Sequence, residues 1–415
     1  MPDKFMAETV TPKKKAAFHE GGAFQFAETG SEWHNQAQQA LASLSFPSSR
    51  EEYWKYSRVS KIKQLELERS DQEKATQEDV AFDLVFRNGS LVHNGLTLSE
   101  LEVEEHNQIW QSIGQLEDHY FLALNAVAMT AGISIKVPAG LQLAHAIKIK
   151  VESSGQQKVA QPRISILWEK GSHADFVFEY SQNNGALCLT NLVVDGEMKA
   201  NASGSVNQLQ QPGEQNYLIT QIDATQERDS RLEMNTLSIN GTFIRNNINV
   251  LSGGENCETV MNGIYLPKGE EHMDNHTFVD HAYPHCRSEE NYKGVLNDRS
   301  SGVFNGKVMV RQDAQKIEAF QSNQNILLSD DAGVNSKPEL EIYADDVRCS
   351  HGSTTGQLDE EPLFYLQSRG IPADKAKQLL VEAFVYEVIG RMSVGDFKAQ
   401  VQEVLEKRQE EELNR

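Results

Sequence analysis

Hydrophobic and polar positions along this chain fall into three regimes. In the first, Trp33, Ala37, Ala40, Leu41 and Leu44 recur at helical spacing, predicting a helix that opens at Ser31 and is stopped by Pro47. Ser48 and Ser49 offer caps for a second helix, Arg50 to Tyr56. Its Trp54 and Tyr56 suit either core packing, which we expect, or a ligand platform. Phe82 to Val92 reads as a hairpin, because Asn88-Gly89 supplies the positive-φ residues of a tight two-residue turn. One more helix is expected over 115–131, which makes 1–135 a mainly helical region behind a loose arm of about thirty residues.

From Ile133 to Cys349 the period drops to two. Short alternating runs appear at Ile133–Val137, Ala146–Val151, Ile164–Trp168, Asp175–Tyr180, Leu187–Val194 and Tyr217–Ile222. They continue at Glu233–Ile239, Thr242–Leu251, Glu258–Leu266, Gly302–Val310, Lys316–Phe320 and Glu339–Tyr343. Gly and Asn punctuate them, as at Asn183-Asn184-Gly185, Asn240-Gly241, Gly253-Gly254, Asn262-Gly263 and Asn305-Gly306. No helix-length stretch intervenes, which rules out alternating βα units and leaves a sandwich, a barrel or a solenoid. So many strands with Asn-rich corners favour the solenoid, since Asn tolerates the left-handed conformation and stacks from coil to coil. We place this core at 136–355.

The third regime, 356–415, is helical again. Asp359 is positioned to cap a helix running to Arg369, with Gly370 at the left-handed stop and Pro372 beyond it. Ala376, Leu379, Leu380, Ala383, Phe384, Val388 and Ile389 form a stripe on the next helix. A last helix restarts at Ser393 and carries Phe397, Val401, Val404 and Leu405. Such stripes either fold back on the solenoid or receive a partner.

Composition narrows the partners. A net charge of -21 argues against nucleic acid and anionic membranes, which need clustered Lys and Arg. The compact cationic block Lys13-Lys14-Lys15 is expected to be a solvated terminus. Cys188, Cys257, Cys286 and Cys349 are widely spaced and form no CxxC pair, which points to a reducing compartment rather than a disulfide scaffold. With no apolar signal segment at the start and no membrane-length apolar run, a cytoplasmic location is expected.

Two groups of residues hold candidate chemistry. Cys349 and His351 stand two apart where the strand pattern ends. On a strand they share a face, and a thiolate beside an imidazole suits zinc, iron or an iron–sulfur species. The bland alternative is a buried small hydrophobe beside a hydrogen-bonded corner residue. The second group is His272, His276, His281, His285 and Cys286, expected on loops and strand ends. It suits a metal site, or else a structural or pH-responsive polar cluster. There is no phosphate-binding glycine loop, no nucleophile elbow and no isolated acid/base pair, so the residues do not by themselves declare an enzyme.

A series of blocks in order carries a family resemblance. They include Asn291-Tyr-Lys-Gly-Val-Leu296, Gly302-Val-Phe-Asn-Gly-Lys307, Ala319-Phe-Gln-Ser-Asn323 and Lys337-Pro-Glu-Leu-Glu-Ile342. Ala344-Asp-Asp-Val347, Cys349-Ser-His-Gly352, Gly356-Gln-Leu-Asp359 and Leu363 to Ile371 extend the match. Together they resemble the SufB/SufD family of iron–sulfur cluster assembly proteins, strongly from about Leu237 to Met392 and more weakly at Arg50 to Tyr56. Length, few cysteines and the Cys-Ser-His-Gly block make SufD the better match. Where SufB carries a cysteine important for cluster building, Gln321 to Leu328 here holds Asn and Gln.

The resemblance implies a right-handed parallel β-helix flanked by helical segments at both ends. It implies a non-catalytic scaffold subunit that pairs with a SufB-like chain and docks a SufC-like ATPase, which does the ATP hydrolysis. The ATPase would bind the C-terminal helices, at Phe364, Leu379, Leu380 and Phe384. His351, with Cys349 second, would contribute at the subunit interface to iron acquisition or to a transient iron–sulfur cluster shared with the partner, none being held tightly by the isolated chain. The same surface would let the isolated chain pair with itself. The competing readings are a β-helix polysaccharide-active enzyme of the secreted type, and a structural zinc protein built on the 272–286 group.

Overall fold

The computed structural model describes residues 32–57, 59–69, 75–96, 100–106, 119–182 and 185–413. Its centre is a parallel β-solenoid. Sixteen strands alternate between two sheets. The first half comprises β1 (Ala131–Val137), β2 (Ile147–Ser153), β3 (Pro162–Trp168), β4 (His173–Gln182), β5 (Leu187–Met198), β6 (Ser203–Gln210), β7 (Gly213–Gln226) and β8 (Arg231–Ser238). The second comprises β9 (Gly241–Ser252), β10 (Glu258–Tyr265), β11 (His272–His281), β12 (Arg287–Leu296), β13 (Ser301–Val310), β14 (Ile317–Leu327), β15 (Gly333–Ile342) and β16 (Val347–Gly356). Odd strands build one sheet and even strands the other, each strand hydrogen-bonded to its equivalent one coil away.

Alternation dictates what the interior holds. In β3, Ile164, Ile166 and Trp168 point inward, and in β4 Ala174, Phe176, Phe178 and Tyr180 do the same. Inward positions repeat from coil to coil, so the core is a set of columns rather than a layer. One seam is polar and hydrogen-bonded along its length: Gln210 Nε2 donates to Asn246 Oδ1 at 2.7 Å, and Asn246 Nδ2 to Asn275 Oδ1 at 2.9 Å. The expected Asn stacking is present, but on strands. Asn262-Gly263 and Asn305-Gly306 lie within β10 and β13 rather than at corners. Asn201, Asp229, Asn256, His285, Asp298 and Lys316 take the left-handed turn positions.

Helices cover the outer faces of the two sheets. On the odd sheet, α1 (Glu32–Ser43) and α2 (Tyr120–Ala128) bury Ala37, Leu41 and Phe121 against Leu189, Val193, Ile219 and Phe243. The Ser31 cap and the Trp33 side chain lie outside the described residues. The expected helix over Arg50–Tyr56 is a single 3₁₀ turn, Glu52–Trp54, because Tyr53 and Trp54 are used to clamp Arg245. The hairpin forms as read, Leu84–Arg87 against Ser90–Asn94, with Asn88 and Gly89 at φ 49° and 81°.

On the even sheet, α3 (Glu360–Ser368), α4 (Ala373–Arg391) and α5 (Gly395–Leu413) fold back. Val385, Val388, Ile389, Phe397 and Val401 pack on Leu209, Leu237 and Ile264. Each such side chain removed from water contributes about 1.5–3 kcal/mol. Asp359 caps α3 by accepting from the Glu361 amide at 3.0 Å, and Gly370 closes it at φ 85°. Ala383, read into the stripe, is exposed.

Candidate functional site at the open end of the solenoid

The solenoid has an uncovered end. Within the described chain β15 and β16 pair on one side only, with β13 and β14, and their residues are half-buried or exposed. Such edges carry unpaired backbone donors and acceptors. Val347, Cys349, His351, Ser353 and Thr355 occupy alternate positions of β16 and face into the coil; Ser353 Oγ reaches Ser336 Oγ of β15 at 2.7 Å across it. His351 is exposed at this mouth. Cys349 is half-buried against the core, and burial pushes its thiol up, with a backbone hydrogen bond at Ala319 opposing. The two residues thus share one inward face, in the alternation the spacing predicted.

Beneath His351 the interior changes character. Its column runs Ile147, Phe176, Val206, Met234 and Met261 through the lower coils, then Glu290, Gln321 and His351. The facing column on the odd sheet runs Ile133, Ile164, Val194, Ile222 and Ile248, then Thr277, Gly306 and Pro338. Both columns switch from apolar to polar or small at the same coil. Thr277 Oγ1 donates to Glu290 Oε2 at 2.5 Å, which fixes the two columns as opposite walls. One coil higher the Gln321 amide lies against Gly306, where a Cβ would fall 2.2 Å from Nε2. Glu290 and Gln321 are 1% and 3% exposed, so this polar well is inside the protein. Burial pushes the Glu290 carboxyl up to about 7, with the Thr277 hydroxyl and then the Gln321 amide opposing. Sequence reading missed both residues. Glu290 follows Glu289 and resembles a solvated charge pair; only the register shows that it points inward.

The 272–286 group does not come together. Contrary to the loop expectation, His272–His281 is the strand β11, held by ladders to β9 and β13. His272 and His276 point outward under the N-terminal segment and flank Asp274. His272 Nε2 lies 3.0 Å from Ser57 Oγ, and His276 Nε2 lies 2.9 Å from Asp274 Oδ1. Burial pushes both imidazoles down. His281 points inward, 2.9 Å from Ser288 Oγ, and burial brings it down to about 4. His285 is an exposed turn residue at φ 62°. Cys286 is buried against Cys257 one coil below; their contact favours the thiolate at Cys257 and pushes Cys286 up. Among the described residues no three His, Cys, Asp or Glu side chains gather around a point suited to a metal ion.

The helical candidates divide by exposure. Phe364 is 72% exposed on α3, and its neighbour Tyr365 is exposed too. Leu379, Leu380 and Phe384 are half-buried on α4. Lys293 of β12 ties this helix down, donating to Phe384 O at 3.0 Å and Glu387 Oε2 at 2.5 Å, with its ammonium over the Phe384 ring. A cavity of about 650 Å³ opens between the last coil and α3 and α4, lined by Leu327, Leu328, Leu358, Leu363 and Val381 among others. Among the described residues no helix is long and apolar enough to cross a membrane.

Comparison with known proteins adds one family. Residues 151–384 match the model of the SufBD core domain of the SUF system for iron–sulfur cluster assembly. A SufBD family protein of Synechocystis is 26% identical over 401 residues, covering 88% of this chain and 87% of its own. The iron–sulfur cluster assembly protein SufD of Escherichia coli is 38% identical over 163 residues, 39% of this chain and 38% of that one. SufD of Bacillus subtilis is 25% identical over 303 residues, covering 71% and 68%.

Proposed function

The chain belongs to the SufBD core family of the SUF iron–sulfur cluster assembly system and within it is most like SufD; on that premise we propose that it is a non-catalytic scaffold subunit that completes its open coil against a SufB-like partner. The observation that carries this reading is the uncovered last coil, with His351 and Cys349 on its inward face. A second solenoid docking edge to edge would satisfy the β15 and β16 backbones and close a lid over both side chains. His351 and Cys349 then supply one half of a site for nascent iron or a transient cluster, and the partner supplies the other. The same edge allows pairing with a second copy when the partner is missing.

The exposed Phe364, with Leu379, Leu380 and Phe384 behind it, is the surface for a SufC-like ATPase. Hydrolysis by that partner would act on the coil edge through α3 and α4. Four free thiols support a reducing, cytoplasmic setting. Family membership displaces the polysaccharide reading, and the scattering of the 272–286 group removes the geometry that a structural zinc would need.

The test is anaerobic reconstitution of the three-subunit complex with wild-type chain or His351→Ala, followed by absorbance of the cluster. We expect intact complex and strongly reduced cluster absorbance. Full absorbance with the variant would remove His351 from the site.

A further inference from the structure

Two of the four free thiols meet inside the solenoid. Cys257 and Cys286 occupy the same position of successive corners, each directly after a left-handed turn residue, Asn256 at φ 58° and His285 at φ 62°. The ladder fixes their register: Glu258 pairs with Arg287, and the Arg287 amide donates to the Cys257 carbonyl at 2.8 Å. Equivalent residues of neighbouring parallel strands lie about 4.8 Å apart. That falls within the roughly 4.4–6.8 Å of Cα separation that a disulfide spans. The side chains converge as well, since both sulfurs lie 3.2 Å from one acceptor, the Gly254 carbonyl oxygen. Gly254 reaches that place because it lacks a side chain; a Cβ there would fall 2.2 Å from the Arg228 amide nitrogen of the coil below. When one thiol ionises, the other can donate its S–H to the thiolate, so their contact favours ionisation at Cys257 and pushes Cys286 up. Both cysteines are 1% exposed, yet Asn256 and His285 beside them are exposed, so the pair lies one residue beneath the surface.

We propose that Cys257 and Cys286 form a reversible thiol–disulfide pair, oxidised by hydrogen peroxide and reduced again by a dithiol, that braces two successive coils of the solenoid. In the first step the Cys257 thiolate attacks one peroxide oxygen. The O–O bond breaks, the sulfur becomes a sulfenic acid, and the hydroxide released takes up the proton that Cys257 lost. In the second step the Cys286 sulfur attacks the Cys257 sulfur. The S–S bond forms, the S–O bond breaks, and hydroxide leaves with the Cys286 proton as water. Two electrons thus pass from the two thiols to one peroxide, giving a disulfide and two waters. Reduction reverses the bond change by exchange with the dithiol, which is itself oxidised to a disulfide. The new bond ties the entry of β10 to the entry of β12. It closes the intervening chain, β11 included, into a loop that remains closed when the protein unfolds. Cys188, whose thiol donates to Ser154 O at 3.6 Å, and Cys349 at the open coil take no part.

The experiment exposes the reduced full-length chain to hydrogen peroxide, alkylates it in denaturant, and maps the unreduced digest by mass spectrometry. The wild-type chain should yield a Cys257–Cys286 cross-link within one molecule, lighter by two hydrogens than the reduced peptides and lost on treatment with dithiothreitol. Cys349→Ala removes the thiol at the open coil, which could link separate chains, and should give the same product. Recovery of Cys257 and Cys286 as alkylated thiols would overturn the pair. So would Cys257 carried to sulfinic acid without a cross-link, or a link from either residue to Cys188 or Cys349. The brace has its own readout. The denaturant midpoint of the cross-linked chain should lie above that of the reduced chain, and peroxide should produce no such rise in Cys286→Ser. No rise in the cross-linked wild type, or an equal rise in Cys286→Ser, would overturn the brace.

Discussion

Arg245 Nη1 donates to Asp274 Oδ2 at 2.5 Å across the ladder between β9 and β11, and neither side chain is exposed. The guanidinium lies 3.7 Å from the Trp54 ring centre, and the Ser57 hydroxyl donates to the same carboxylate. Burial alone would raise the Asp274 acid; Arg245, His276 and His272 around it hold it well below the usual range. This pair buckles the N-terminal segment onto the solenoid. Asp274→Ala leaves a buried guanidinium without its counter-ion and should cost about 3–5 kcal/mol in denaturant unfolding, while Arg245→Met combined with Asp274→Leu should cost far less. Equal losses in the single and double variants would show that the pair does not act as a unit.

A second buried acid sets a pH dependence. Asp223 accepts from Asn249 at 2.7 Å and Gln221 at 2.8 Å, yet burial, with Asp195 nearby, raises it to about 7. A folded pKa above the unfolded value means that its contribution is complete below about pH 4 and is lost as pH rises through about 7. Asp223→Asn carries no such loss. Its stability relative to wild type should therefore increase between pH 5 and pH 8, at up to about 1.4 kcal/mol per pH unit. Parallel denaturant midpoints for the two proteins across that range would refute the assignment.

Thiol reactivity should separate the four cysteines. Cys188, Cys257 and Cys286 are each about 1% exposed, whereas Cys349 is half-buried at the open coil. Alkylation of the native chain followed by mass spectrometry should label Cys349 first, and Cys349→Ser should abolish the fast phase. Adding the SufB-like partner should protect Cys349. Labelling at the same rate in the complex would place the interface elsewhere.

The C-terminal surface yields a binding prediction free of stability effects. Because Phe364 is 72% exposed, Phe364→Ala removes little buried area and should leave the unfolding free energy within about 0.5 kcal/mol of wild type. Binding to a SufC-like ATPase should weaken about tenfold or more if the ring is an interface anchor, as measured by calorimetry. Lys293→Met should act differently: it frees α4 from β12, and should lower stability as well as affinity.

Much of this protein is legible in its residue pattern. Alternation from Ile133 onward marks the solenoid, and the Asp359 cap with its Gly370 stop marks α3. Cys349 and His351 share a face because period two leaves no other arrangement on a strand. The pattern misleads at strands whose residues carry little strand preference, such as Ser203–Gln210, Arg287–Leu296 and His272–His281. In a solenoid the ladders on both sides hold such segments extended, so neighbours override propensity.

Local pattern thus determined most of the element types and the pairing of Cys349 with His351, since each depends on residues a few positions apart. Tertiary structure alone decided which side chains stack. Glu290, Gln321 and His351 are about thirty residues apart in sequence and adjacent in space because coil length sets the register. The same register scattered the five residues of the 272–286 group, whose closeness along the chain had suggested a site. Sequence proximity fixes contacts only within an element; in a coiled chain the contacts that make a site are set by the length of each turn.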